Sequence, residues 1–222
     1  MLVIVFSKED SMIRKTLMVR ILLSLLFLAT VGCRTNDLPQ FQDGDIIFQE
    51  SRSSQSEALR LAMHSLYTHV GVIFFNEDEP VVYEAVGPVK YTPLEKWIRQ
   101  GVDGHFAVKR LYYADRYLTE DGIAELRRAG EKYAGLPYDF HFGWSDDRFY
   151  CSELVWKMYE SAFGIQIGAL QKFSDFDLSA PEVIRILKER FPDGIPEDEV
   201  VISPTDIFES DLLITVYTNW VW

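Results

Sequence analysis

The stretch HVGVIFFNEDEPVVYEAV (69–86) constrains the fold more than any other. Two runs rich in β-branched and aromatic residues, HVGVIFF (69–75) and PVVYEAV (80–86), flank a short polar segment, NEDE. That is the pattern of a β-hairpin, and it commits the chain to an antiparallel sheet. A turn centred between Asn76 and Glu77 puts Glu84 directly opposite His69. A register one pair further along leaves them diagonal neighbours on one face, and a one-residue slip puts them on opposite faces.

The remaining elements extend this plan. GDIIF (44–48) and HFAVKRL (105–111) read as further strands, and SEALRLAM as a helix. YTPLEKWI predicts a helix with Thr92 as N-cap, Pro93 at the first position and Glu95 completing a capping box. Leu118, Ile123, Leu126, Ala129 and Tyr133 recur at helical spacing over about 119–134. A loop rich in aromatics, Gly and Asp covers 134–150. CSELVWKMYESAFG follows as a helix with Leu154, Val155, Met158 and Tyr159 on one face, stopped near Gly164. SAPEVIRILKER predicts a second capping box, Ser179 to Glu182. EVVISPTDIFESDLLITVY reads as strand, short helical turn from Pro204, and strand. The expectation is a single α+β domain with a mostly antiparallel sheet.

Residues 12–33, MIRKTLMVRILLSLLFLATVGC, stand apart. Arg14, Lys15 and Arg20 precede an apolar stretch, Ile21–Val31, too short for a confident membrane span. Small residues then lead to Cys33. This resembles a bacterial lipoprotein signal, with Thr30 standing where such signals prefer Leu. Met12 suits the start of such a signal better than Met1. The expected organisation is 1–33 as signal and anchor ending at a lipidated Cys33, 34–42 as linker and 43–222 as the folded domain, on a protein exported to the cell envelope and facing the periplasm. An ordinary secretory signal or a membrane anchor is the alternative. With 22 Lys and Arg against 34 Asp and Glu, the net charge of −12 speaks against nucleic acid as a partner.

The chain has two cysteines, Cys33 and Cys151. A lipidated Cys33 leaves Cys151 unpaired in an oxidising compartment. Cys151 opens a predicted helix, where unpaired backbone N–H groups lower a thiol's pKa and can hold an oxyanion. A buried structural thiol is the plainer alternative. A nucleophilic cysteine needs a base. Of four histidines, His64 reads as a charge at a helix C-terminus and His105 as a surface residue. His141, in the loop before Cys151, rivals His69. Glu84 gives His69 a carboxylate that could orient its ring. A solvated strand residue is the other reading of Glu84, and pattern alone leaves both open.

GDIIFQ (44–49), YTHVGVIF (67–74), VYEAVGPV (82–89), GLPYDFHF (135–142) and YCSELVW (150–156), in this order, resemble the circularly permuted papain-like, NlpC-type cysteine peptidases, most closely their YiiX-like branch. The resemblance spans about residues 41–216. It implies a permuted papain-like fold, with Cys151 as nucleophile, His69 as base and Glu84 as the third member, and it demotes His141. It also implies that Tyr138 and Asp139 shape the cleft. Tyr150 and Ser152, beside the nucleophile, are candidates for the cleft or the oxyanion site. No metal or other cofactor is expected: there is no HExxH, no paired CxxC and no Walker loop.

The expected activity is hydrolysis of an amide through a thioester, in a peptidoglycan-derived peptide. A lipid acyl hydrolase or acyltransferase on the same residues is the alternative. A non-catalytic module binding peptidoglycan or lipid is a third reading, disfavoured by the intact Cys, His and Glu. Phe140, Phe142 and Trp144 are either core or the lining of an acyl groove.

Overall fold

The hairpin forms, and the sheet grows on both sides of it. The computed structural model describes residues 40–220. The expected anchor with Cys33 and most of the expected linker lie outside the described residues. In chain order the elements are β1 (Ile46–Ser51), α1 (Ser56–Met63), β2 (His69–Asn76), β3 (Glu79–Ala85), β4 (Val89–Pro93), α2 (Leu94–Gln100) and β5 (Gly101–Leu111). Then come α3 (Ala114–Tyr117), α4 (Glu120–Glu131), α5 (Cys151–Phe163), β6 (Gln171–Lys172), a 3₁₀ turn (Phe173–Asp175), α6 (Pro181–Arg190), β7 (Val200–Val201), α7 (Pro204–Phe208) and β8 (Leu213–Thr218). Six strands form one sheet in the order β4-β3-β2-β1-β5-β8, every neighbouring pair antiparallel, and β6 pairs with β7 separately.

Both faces of the large sheet are covered, so its central strands read as unbroken apolar runs rather than alternating ones. Ile46, Phe48, Val70, Val72 and Tyr83 pack against Leu154, Val155, Met158 and Tyr159 of α5. Ile47, Ile73, Val82, Phe106 and Val108 pack on the other face against Leu94 and Trp97 of α2. A third apolar cluster joins α1 to α6 through Ala58, Val183 and Leu187, with Phe173 and Val201 beside them. This cluster lies beyond the sheet and builds the wall of a cavity described below.

Several local expectations are corrected. The hairpin turns at Glu77–Asp78, because the last pair is Asn76–Glu79, one pair further along than the symmetric turn at Asn76–Glu77. Glu77 takes the left-handed conformation there, with φ of 57°. Thr92 caps nothing: it belongs to β4, a strand the sequence reading missed, and α2 begins after Pro93 with no side-chain cap. Glu95 is exposed and pairs with Arg99 instead of closing a capping box. Ser179 also fails as a cap, since its hydroxyl donates to Asp177 and Ala180 precedes α6. A true capping box forms at Ser203 and Asp206, at the start of α7. Strand β5 begins four residues earlier than expected, so His105 lies inside it and is partly buried.

Candidate active site

The site lies at the end of the sheet where β2 begins. The regular β2–β3 ladder stops at Val72–Tyr83. Beyond it, His69 pairs with Gln49 of β1, and Glu84 pairs with Lys90 of β4. Continuing the hairpin register by one step would face Glu84 with Gly71, not with His69. Gly71 leaves the needed room: a Cβ there would sit 2.4 Å from Val82 Cγ1 and 3.4 Å from the Glu84 Cβ. The carboxylate therefore leans diagonally, and His69 Nε2 lies 2.6 Å from Glu84 Oε2.

Glu84 is 1% exposed and takes two more donors. Thr92 Oγ1 donates to its Oε1 at 2.6 Å, and Trp97 Nε1 donates to its Oε2 at 2.8 Å. The Trp97 ring also stacks on the imidazole, with centroids 5.7 Å apart. A buried carboxylate needs such donors, because charge without them is expelled or neutralised. Burial alone would raise the pKa of Glu84; the hydrogen bond and charge of His69, with the donors Thr92 and Trp97, outweigh it and hold Glu84 below its ordinary value.

Cys151 is the first residue of α5 and is 4% exposed. Tyr150 precedes it in extended conformation and supplies no side-chain cap, so no side chain occupies the N–H groups of the first turn. The thiol is close enough to His69 to act on its ring. Glu84 occupies the Nε2 side of the ring, which leaves Nδ1 for sulfur. Burial by itself would lower the pKa of His69; the hydrogen bonds to Cys151 and Glu84, and the charges of both, outweigh it and push it up to about 10. The arrangement favours an imidazolium beside the Glu84 carboxylate.

The loop before α5 is tied at its neck. Asp139 N–H donates to Phe149 O, and Phe149 N–H donates to Pro137 O, both at 3.0 Å. Inside the loop the buried Asp139 carboxylate accepts from the N–H groups of His141 at 2.9 Å and Gly143 at 2.7 Å. Asp139 thus shapes the loop from within. His141 points outward, its side chain 56% exposed and edge-on to Phe191. Ser152 is buried and its hydroxyl donates to Ile202 O at 2.8 Å, so only its backbone N–H can face a substrate. The Tyr150 hydroxyl accepts from Ile202 N–H at 3.1 Å. Both side chains fix α5 to the β7–α7 segment. His64 is also remote in role, exposed and 3.2 Å from Asp177.

A cavity opens at Cys151. Its free space, counted out into open solvent, is about 760 Å³. Its walls are overwhelmingly apolar, with Leu59, Met63, Phe142, Phe173, Leu187 and Val201 among them. Tyr138, Gln55 and Arg190 supply polar groups on its wall. The three loop aromatics divide: Phe142 lines the cavity, Phe140 is exposed, and Trp144 packs on Trp156. The sequence reading missed Thr92, Trp97, Gln55 and Arg190. Trp97 carried the one available signal, as the single Trp of its short helix.

Comparison with known proteins identifies the family. Residues 40–217 match the family described as "Permuted papain-like amidase enzyme, YaeF/YiiX, C92 family". The chain is 49% identical over 181 residues to the uncharacterized protein YiiX of Escherichia coli K12, covering 82% of this chain and 88% of that one. It also superimposes on the crystal structure of metalloprotein yiiX from Escherichia coli O157:H7 with a TM-score of 0.79. The identity is 49%, covering 82% of this chain and all of that one.

Proposed function

Since the chain belongs to the permuted papain-like amidase family, we propose that it is a cysteine hydrolase cleaving an amide whose acyl part is a hydrocarbon chain. Cys151 is the nucleophile in this reading, His69 the base and Glu84 its orienting partner. The observation that carries the substrate class is the cavity: the thiol stands at one end of a space walled by leucine, valine, methionine and phenylalanine. A stem peptide of peptidoglycan, the substrate expected from sequence, is polar and would leave those walls uncovered.

His69 Nδ1 takes the thiol proton, and sulfur attacks the carbonyl carbon. The carbonyl oxygen becomes an oxyanion beside the uncapped first-turn N–H groups of α5 and the Tyr138 hydroxyl. His69 returns the proton to the leaving amine as the C–N bond breaks, and a thioester remains. Water then attacks the thioester with His69 as base. The carboxylic acid leaves and the thiol is restored.

The Escherichia coli relative is described as a metalloprotein. Among the described residues of this chain, no group of three or more His, Cys, Asp or Glu is gathered to share a metal. His69 is engaged by Glu84 and Cys151, and the Asp139 carboxylate by two backbone N–H groups. These donors do not fit a metal.

The basic, apolar and small-residue order of 12–33 supports a lipid-anchored, envelope-facing protein. Mass spectrometry of the membrane-recovered protein should find an acylated Cys33 at its N-terminus, and a soluble protein starting elsewhere would refute that. The substrate is tested with N-acyl amides of increasing chain length, O-acyl lipids and muropeptides, each beside Cys151→Ala. Turnover rising with acyl length is expected. Muropeptide turnover alone would return the substrate to peptide, and no thiol-dependent turnover of any kind would favour a binding module.

A further inference from the structure

We propose that Gln55, held by Arg190, is a positioning residue that turns the Tyr138 hydroxyl proton toward the carbonyl attacked by Cys151. The inference rests on the hydrolase reading and goes beyond it to two residues far from Cys151 in sequence.

The geometry is a directed chain. Arg190 Nη2 donates to Gln55 Oε1 at 2.7 Å. Gln55 Nε2 donates to the Tyr138 hydroxyl oxygen at 3.0 Å. All three side chains line the cavity that holds Cys151 and are half-buried. The direction is set by chemistry. A guanidinium has donors only, so the amide oxygen must face Arg190. The amide NH₂ must then face Tyr138, whose oxygen accepts. A phenol that accepts on oxygen keeps its own proton to give elsewhere. Tyr138 shares the cavity with the thiol, and the O–H is free to donate to an oxyanion formed there.

Two further observations point the same way. Gln55 occupies the N-cap position of α1, where short polar side chains normally bond the helix, yet it makes no capping bond. Its side chain is committed to the relay instead. Arg190, at the end of α6, is held in place between rings, 5.6 Å from the Phe140 centroid and 5.5 Å from that of Phe142. Burial, and next a charge on Cys151, raise the pKa of Tyr138. The phenol therefore keeps its proton through the working range.

Gln55→Glu separates this from a packing role. The substitution is nearly isosteric and keeps the Arg190 contact as an ion pair, so the fold is retained. A carboxylate cannot donate, however. Tyr138 would then donate to Glu, and its proton would turn away from the site. The test compares two reactions of Cys151. Acylation by a 4-nitrophenyl fatty acyl ester passes through an oxyanion, and alkylation by iodoacetamide does not. Tyr138→Phe and Gln55→Glu should each slow acylation about a hundredfold through kcat with KM unchanged. The double variant should be no slower than Tyr138→Phe alone, and alkylation should hold at the wild-type rate throughout. Wild-type acylation in Gln55→Glu, or additive losses in the double variant, would overturn the relay while leaving the hydrolase reading intact. A wild-type thiol that alkylates but never acylates would overturn both.

Discussion

Replacing Glu84 by Gln removes one charge and little else. The carboxylate accepts from His69 and Trp97 on Oε2 and from Thr92 on Oε1. A glutamine can place its oxygen where Oε2 stands and keep both of the first two bonds. Its NH₂ then meets Thr92, whose hydroxyl rotates from donating to accepting. Orientation of the imidazole survives, and the negative charge beside it does not. A hydrogen bond to a charged group is worth about 1.5–3 kcal/mol, so kcat/KM should fall roughly tenfold to a hundredfold. The pKa of His69 should also drop, since Glu84 is one of the groups holding it near 10. Glu84→Ala should do worse. It strands the Trp97 N–H in a buried site, at about 1–3 kcal/mol of stability, and frees the ring to turn. The assay is amide or activated-ester hydrolysis with the pH dependence of Cys151 alkylation, beside thermal melting. Full activity in Glu84→Gln with an unmoved alkylation profile would refute the electrostatic argument. Full activity in Glu84→Ala would remove Glu84 from the site altogether.

The same pair has a signature in stability. His69 is raised from 6.5 to about 10, and Glu84 is lowered below 4.5. Stability from the raised histidine is complete below its unfolded value and is lost as pH rises through the folded one; for the lowered glutamate it is complete above the unfolded value and lost on acidification. The wild-type advantage over Glu84→Gln in urea denaturation should therefore be greatest between about 4.5 and 6.5 and shrink toward pH 10; a difference constant across that range would contradict the ion pair. Glu153 behaves oppositely to Glu84: burial pushes its carboxyl up to about 8, against the pull of Lys157, whose Nζ lies 2.9 Å away as an ion pair outside hydrogen-bond alignment. Stability drawn from a raised carboxyl is lost as pH climbs through its folded value, so Glu153→Gln should gain on wild type as pH rises toward 8 and match it in acid, read by melting temperature. In the cavity, Met63→Trp should cut turnover of long acyl chains while sparing short ones, and equal losses across chain lengths would argue against an acyl pocket.

The face shared by His69 and Glu84 was legible because a strand's period is two. Once the hairpin was read, His69 and Glu84 could share a face under either of two registers, and the diagonal one is observed. The candidate nucleophile stood out as a cysteine opening an amphipathic helix. Thr92 and Trp97 were not, for a local reason. Thr92-Pro93 followed by Glu95 mimics a helix start, and the short strand VKYTP lacks a run long enough to compete with that signal. Tertiary pairing with β3 decided it, placing Thr92 opposite Val82 on the Glu84 face. The bonds that join Gln55 to Tyr138 and to Arg190 were beyond reach for another reason: 83 and 135 residues separate the bonded partners, and no periodicity spans such distances. The cavity was hidden likewise. The apolar faces of α1 and α6 each read as core, and only their meeting shows the space left between them.

In the proposed reaction Cys151 forms a thioester with an acyl group lodged in that cavity. The direct measurement is intact-protein mass spectrometry after mixing wild type with an N-acyl amide or fatty acyl ester and quenching in acid. A mass increase equal to the acyl group is expected, mapped to Cys151, discharged by hydroxylamine and absent in Cys151→Ala. Substrate turnover with no adduct in wild type, and persisting in Cys151→Ala, would contradict it.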